Sequence, residues 1–225
     1  MCGRFTLTAD AQQLQQAFPQ VDFSTVYAVQ RRYNIAPGQA ILGVPNAQPL
    51  ALDAFIWGLV PSWAQERATR YRMINARAES LHQKPAYRGP LRYKRCLILA
   101  DGFYEWRAVP GEKRKQPYYI RLKGGQPFAF AGLWDAWQAP DGSELRTASI
   151  VTTQPNALVA PIHNRMPVIL PPEAWERWLA PGAVRYEDVA SLLKPYPAEA
   201  MEAWPVSPKV NSPAYDAPDC VVRVV

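Results

Sequence analysis

Cys2 directly follows Met1, and removal of that methionine would give the cysteine unusual chemistry. A free amino-terminal cysteine is a 1,2-aminothiol. Its α-amine ordinarily titrates at about 7.7–8.0 and its thiol at about 8.5, so both nucleophiles are accessible around neutral pH. When the amine attacks an aldehyde to give an imine, the thiol on the adjacent carbon can close onto it as a five-membered thiazolidine. That second step is intramolecular and strongly favoured. The competing reading is an ordinary residue at a frayed terminus. Other polar residues stand where a bland core would not place them. Asn75 and Arg77 sit in Met73-Ile74-Asn75-Ala76-Arg77-Ala78-Glu79, Glu105 follows the apolar run Leu97-Ile98-Leu99, and His163 lies between Pro161 and Pro167. A carboxylate and an imidazole are what imine formation and ring closure need, because protons must reach the departing oxygen and leave the attacking amine. Each also has an ordinary reading when taken alone. Glu105 reads as a surface ion-pair partner, His163 as a hydrogen-bonded loop residue, and Asn75 and Arg77 as turn and surface residues. His82, in Leu81-His82-Gln83-Lys84, is assigned to that ordinary class.

The elements that must position these residues belong to a chain of 225 residues, long enough to bury its own core without disulfides or metal, and one domain over 1–225 is the expectation. The hydrophobic fraction of 48% and eight tryptophans fit a packed globule, and the 23 prolines punctuate the whole chain rather than forming a linker. Three cysteines make an odd number without CxxC spacing, which argues against a disulfide framework and a structural zinc site; no cofactor or metal is expected. With no apolar run of signal-peptide or membrane-spanning length, the expected location is cytoplasmic. The net charge of +6 favours a polyanionic partner, since clustered Lys and Arg release counterions from a phosphate backbone. No nucleotide-binding glycine motif accompanies that charge.

Thr8 to Phe18 predicts a first helix, with Thr8 and Asp10 as caps and Leu14 and Phe18 on one face. Leu50 to Leu59 predicts a strand, as does Arg95 to Trp106 with an interruption at Asp101-Gly102. Tyr118 to Leu122 and Pro127 to Leu133 flank Lys123-Gly124-Gly125-Gln126 and predict a hairpin. Ala148 to Thr152 adds a strand. Trp175, Trp178 and Leu179 after Pro171-Pro172, and Val189, Leu192 and Leu193 after Glu187, predict two short helices. Cys96 is expected in an apolar strand and Cys220 in a terminal one. The sum is an α+β fold with a mainly antiparallel sheet.

Six blocks in order resemble the SRAP family of SOS-response-associated peptidases nearly end to end. They are Met1-Cys2-Gly3-Arg4-Phe5, Arg32-Tyr33-Asn34-Ile35-Ala36-Pro37-Gly38, Trp57-Gly58-Leu59-Val60-Pro61-Ser62-Trp63, Asn75-Ala76-Arg77-Ala78-Glu79, Asp101 to Trp106, and Ile162-His163-Asn164-Arg165-Met166-Pro167. The resemblance implies a barrel-like core flanked by short helices. It also implies that Cys2, exposed by removal of Met1 through the family's own peptidase activity or by a host aminopeptidase, forms a thiazolidine with the ring-opened sugar of an abasic site in single-stranded DNA, shielding the lesion. Asn75 would hold the adduct, Glu105 would interact with the α-amine, and His163 would act as acid or base in ring opening, cross-linking and reversal. Arg4 and Arg77 would hold flanking phosphates, Trp63 and Trp106 would meet bases, and Asn34 and Pro37 would belong to the DNA-contacting surface. Arg67, Arg70 and Arg72 are further candidates for phosphate contact. A monomer is expected, associated with the nucleoid when acting on DNA, with single-stranded DNA or a single-strand to duplex junction as partner. Two rivals remain open: an amino-terminal-nucleophile amidohydrolase using Cys2 as nucleophile, and a non-covalent DNA-binding module in which Cys2 is incidental.

Overall fold

Short strands with apolar inner faces build two sheets that share one hydrophobic core. The structure, a computed structural model, describes residues 2–24, 29–65 and 73–224. The first half of the chain runs through β1 (Phe5–Leu7), α1 (Ala11–Ala17), β2 (Arg32–Ile35), β3 (Ala40–Pro45), β4 (Asp53–Trp57), β5 (Asn75–Arg77) and α2 (Pro85–Tyr93). Next come β6 (Arg95–Ala100), β7 (Gly102–Arg107), β8 (Gln116–Leu122), β9 (Phe128–Gln138) and β10 (Glu144–Thr153). The short elements β11 (Met166–Pro167), β12 (Ile169–Leu170), α3 (Trp175–Trp178), α4 (Tyr186–Val189) and β13 (Met201–Pro205) complete it.

One sheet has the order β13-β8-β7-β1-β2. In the other, β10-β4-β3-β6-β9 closes on itself because β9 also pairs with β10, giving a five-stranded barrel with β11, β12 and β5 attached. Pairing is antiparallel except where β10 meets β4 and β5. The expected α+β class with a barrel-like core and short helices is what the chain adopts. The core is continuous across both sheets, from Phe5 and Phe103 in one to Trp57 and Phe130 in the other. Phe5 meets Trp57 and Phe130 edge-on at centroid distances of 5.1 and 5.8 Å, a geometry that aligns ring edge with ring face.

Several local expectations hold. Asp10 caps α1 through a reciprocal bond with Gln13. Asp101-Gly102 interrupts the predicted strand because the chain changes sheet there, β6 lying in the barrel and β7 in the open sheet. Buried Asp101 accepts from Thr8 Oγ1 (2.7 Å), the Ala9 amide (2.9 Å) and the Thr8 amide, tying the far end of β1 to this crossing. Cys96 is buried in β6, and His82 stacks on Tyr186 at 4.2 Å.

Three points differ. The Lys123-to-Gln126 turn is not a hairpin: β8 pairs with β7 and β13, whereas β9 pairs with β6, β10 and β12. Gly124 and Gly125 both have positive φ, 87° and 71°, and the turn carries the chain from the open sheet to the barrel. Helix α2 was not anticipated, because Pro85, Gly89 and Pro90 break the usual helical signal. It is held at its C-terminal end by buried Arg95, which donates to the carbonyls of Leu91 (3.0 Å), Arg92 (2.7 Å) and Trp178 (2.7 Å). Cys220 is buried in a 3-10 turn, Pro218–Val221, rather than in a strand.

Gly102 is required by contact rather than by φ, since a Cβ there would lie 2.2 Å from Tyr119 Oη. That phenol sits 3.1 Å from Thr6 Oγ1 on β1. Gly102→Ala is therefore expected to lower unfolding stability by about 1–3 kcal/mol, the usual cost of overpacking, in chemical denaturation. A wild-type midpoint would show that Tyr119 moves aside freely.

Candidate active site

Strand parity explains why Glu105 is where it is. On β7, Phe103 and Glu105 share the face turned to the main core, while Tyr104 and Trp106 take the other. Glu105 is consequently only 2% exposed. Burial pushes its carboxyl up to about 7, with Lys115 among the groups pulling the other way. On β5, Asn75 and Arg77 share one face while Ala76 is buried on the other.

These strands belong to different sheets, and Cys2 lies at the seam between them. Asn75 Nδ2 donates to the Cys2 carbonyl at 2.8 Å, and Tyr87 Oη donates to the Asn75 carbonyl at 3.0 Å. Cys2 is fully buried, and its thiol is pushed well above its ordinary value by burial first and by the neighbouring Glu105 second. His163 Nδ1 is 4.0 Å from Glu105 Oε1 and accepts the Arg165 amide at 3.0 Å. That acceptor role leaves Nε2 to carry the proton of the neutral ring. Burial, assisted by Lys115 and Arg165, holds His163 below its ordinary pKa. The fold thus brings Cys2, Asn75, Glu105 and His163 into one site from β1's leading end, β5, β7 and the loop before β11. Asn75 Oδ1 is buried there and has no hydrogen-bond donor among the described residues.

Two residues that sequence reading did not single out hold the site shut on one side. Arg165 forks onto Glu79 at 2.8 and 3.0 Å and reaches the Thr152 carbonyl at 2.6 Å, clamping the His163 loop to the segment after β5. Both stand inside the recognised blocks, so their opposite charges were the available signal.

An open cleft of about 700 Å³ leads from Asn75, with Arg77, Trp63, Met73, Lys84 and Tyr87 on its walls. Arg77 is exposed, and Trp63 is 66% exposed. On the other flank, Arg4 Nη1 donates to Asn34 Oδ1 (2.9 Å) and the Val210 carbonyl (2.8 Å), and its guanidinium lies 5.9 Å from the Trp106 ring centre. Trp106 Nε1 donates to Asn211 Oδ1 at 2.7 Å. All these partners of Arg4 are neutral, so its charge is oriented without a carboxylate partner among the described residues, which suits it to an anion. Asn34 is buried and donates to the carbonyls of Val210, Ser212 and Tyr215. It positions Arg4 rather than reaching the surface itself, and Pro37 is half-buried beside β2. Arg67, Arg70 and Arg72 lie outside the described residues, as does Met1. Among the described residues, no helix is long and apolar enough to cross a membrane.

Comparison with known proteins identifies the family of the chain. The family model for SOS response associated peptidase (SRAP) matches residues 1–213, and the chain belongs to that family. It is 45% identical over 222 residues to the abasic site processing protein YoqW of Bacillus subtilis, covering 98% of this chain and 99% of that one. It is 38% identical over 192 residues to the abasic site processing protein HMCES of Gallus gallus, covering 75% of this chain and 56% of that one. A crystal structure of a protein from Bacteroides thetaiotaomicron superposes with a TM-score of 0.88 at 31% identity, with all of both chains covered.

Asn34→Ala is expected to leave three carbonyls without their shared donor and to cost about 1–3 kcal/mol of unfolding free energy. If Arg4 is oriented through Asn34, salt-sensitive binding to single-stranded DNA should weaken in the same variant, measured by fluorescence anisotropy. Unchanged binding would separate Asn34 from Arg4's function.

Proposed function

We propose that this chain captures abasic sites in single-stranded DNA as a covalent thiazolidine on Cys2, after removal of Met1, and so shields the lesion. The observation that carries this reading is the meeting of Cys2, Asn75, Glu105 and His163 at one buried seam beside an open cationic cleft.

The chemistry is redox-neutral. With Met1 hydrolysed away, the Cys2 α-amine attacks C1 of the ring-opened sugar, forming a C–N bond and a carbinolamine. Loss of water gives the imine. The thiol then adds to the imine carbon: a C–S bond forms, the C=N π pair moves to nitrogen, and the thiol proton ends there. Glu105, poised near neutrality, takes the proton that the attacking amine sheds and returns it to the departing hydroxyl. His163 relays protons to the sugar ring oxygen during opening and back during reversal. Asn75 Oδ1, which has no donor among the described residues, accepts from the opened sugar's hydroxyl, while Asn75 Nδ2 keeps the Cys2 carbonyl in place. Arg4 and Arg77 hold phosphates on either side of the lesion, and Trp63 and Trp106 offer ring faces to neighbouring bases. None of this requires a cofactor or a second subunit.

An oligonucleotide with one abasic site should give a slow-migrating band on a denaturing gel with protein confirmed by mass to lack Met1, and Cys2→Ser should give none. Absence of that band from mature wild-type protein would sink the covalent reading and favour the amidase or plain binding alternatives.

The pH dependence follows from Glu105. Below about 7 its carboxyl is protonated and cannot accept the amine's proton; above that it can. Burial holds His163 below its ordinary value, so its titration lies on the acid side of that of Glu105. Because the α-amine must also be deprotonated, the cross-linking rate should fall below about 7 more steeply than the amine's titration alone would make it. Glu105→Gln should slow it by roughly 100-fold or more and leave only the amine's own titration at about 7.7–8.0. An identical profile in the variant would remove Glu105 from the proton transfer.

A further inference from the structure

A second cavity, of about 340 Å³, shares Trp63 and Pro85 with the reaction cleft and is completed by Arg88, Tyr93, Lys94 and Asp135. Trp63 and Tyr93 are 66% and 52% exposed, and with Val222 they are the large hydrophobic side chains left exposed among the described residues. Two aromatic rings presented to solvent around one hollow form a surface that a flat π-system can cover.

The charge beside it is one-signed. Residues 80–100 contain Lys84, Arg88, Arg92, Lys94 and Arg95 and no Asp or Glu. Lys84, Arg88 and Arg92 are exposed and recur every fourth residue from the start of α2 to its last turn, which places them in one row about 6 Å apart along the axis. Among the described residues, none of the three is paired with a carboxylate, whereas Arg121, Arg146 and Arg165 all are. Asp135 does not oppose an anion at the cavity, because it is 4% exposed and is spent on Lys94 Nζ (2.5 Å) and the Ser62 amide (2.8 Å). Arg95 fixes the end of α2, so the row and the hollow are held in a set relation to the cleft.

We propose that this cavity is a base-binding subsite for the single strand on one side of the reacting nucleotide. An unstacked base lies against Trp63 and Tyr93, and the row of Lys84, Arg88 and Arg92 follows its phosphates. The placement beside a lesion rests on the proposed function; the affinity for a strand does not, since it needs no covalent chemistry.

The test uses full-length protein and single-stranded oligonucleotides with a central tetrahydrofuran abasic analogue, which has no aldehyde. One oligonucleotide has both flanks and two are cut back on one side or the other, and binding is read by fluorescence anisotropy over a range of salt. Wild type should lose affinity on losing one particular flank. Tyr93→Ala should weaken binding of the full strand by roughly 5- to 100-fold and should no longer distinguish the strand lacking that flank, while Tyr93→Phe should restore both. Arg88→Gln should reduce the slope of log affinity against log salt by about 0.7. Wild-type affinity and slope in Tyr93→Ala and Arg88→Gln would overturn the subsite, as would equal losses on every oligonucleotide. An effect seen only when the flank is made duplex would overturn it in favour of a duplex-binding face. Failure of wild type to cross-link a natural abasic strand, with flank dependence intact, would instead count against the proposed function and leave the subsite standing.

Discussion

A three-residue strand determines where Cys2 lies. In β1, Phe5 is opposite Ile35 of β2 on one side and Phe103 of β7 on the other, and Thr6 is opposite Gly102. The Tyr104 amide donates to the Arg4 carbonyl at 2.9 Å, extending this register one residue toward Cys2. At the other end Asp101 gathers Thr6, Thr8 and Ala9. So short a strand would fray if it were an edge, but here both edges are paired and the far end is captured by a buried carboxylate. Cys2 is therefore delivered to a fixed point, one residue pair from Glu105.

The two-sheet architecture then sets the ionisation of the groups around Cys2. A carboxylate on the outer face of β7 would stay ionised and exchange protons with water; on the core face it loses solvation and its two protonation states come close in free energy near pH 7. The same burial raises the Cys2 thiol and lowers His163. One environment thus moves all three groups toward their neutral forms. Outside the seam the charges are managed differently, with neutral partners for Arg4 and carboxylate partners for Arg165, so that one stays available to an anion and the other clamps a loop.

Much of this was legible in the chain, but unevenly. Residues inside short contiguous blocks, such as Glu105 after Leu97-Ile98-Leu99 and His163 between two prolines, stand out because their polarity clashes with their neighbours. Local signals also found α1 through its cap and the interruption at Asp101-Gly102, although that the chain changes sheet there emerges only from strand pairing. The Gly124-Gly125 turn misled, because a glycine pair with positive φ serves a crossing between sheets as well as a hairpin, and only tertiary pairing decides. Helix α2 was hidden by prolines and glycine that lower helix propensity, which packing and the Arg95 cap overrode. Asn34 reads as a surface residue in its block, yet its partners lie more than 170 positions away at Val210, Ser212 and Tyr215. Such contacts leave no trace in local spacing.

The burial of the thiol also bears on which nucleophile acts first. An amidohydrolase of the amino-terminal-nucleophile kind needs the sulfur to attack while ionised, and neither the surrounding apolar packing nor the carboxylate of Glu105 favours a thiolate. Thiazolidine formation places the opposite demand on the same atom. The amine attacks first, and the sulfur adds only afterwards, to an imine carbon already held beside it, with its proton ending on nitrogen. A protonated thiol suits that second step, because it carries the proton the ring nitrogen must receive and because proximity replaces intrinsic nucleophilicity as the source of rate. Keeping the sulfur protonated until then also limits its oxidation, which proceeds through the thiolate. The site's electrostatics therefore suit the amine-first capture proposed above better than acyl transfer to sulfur.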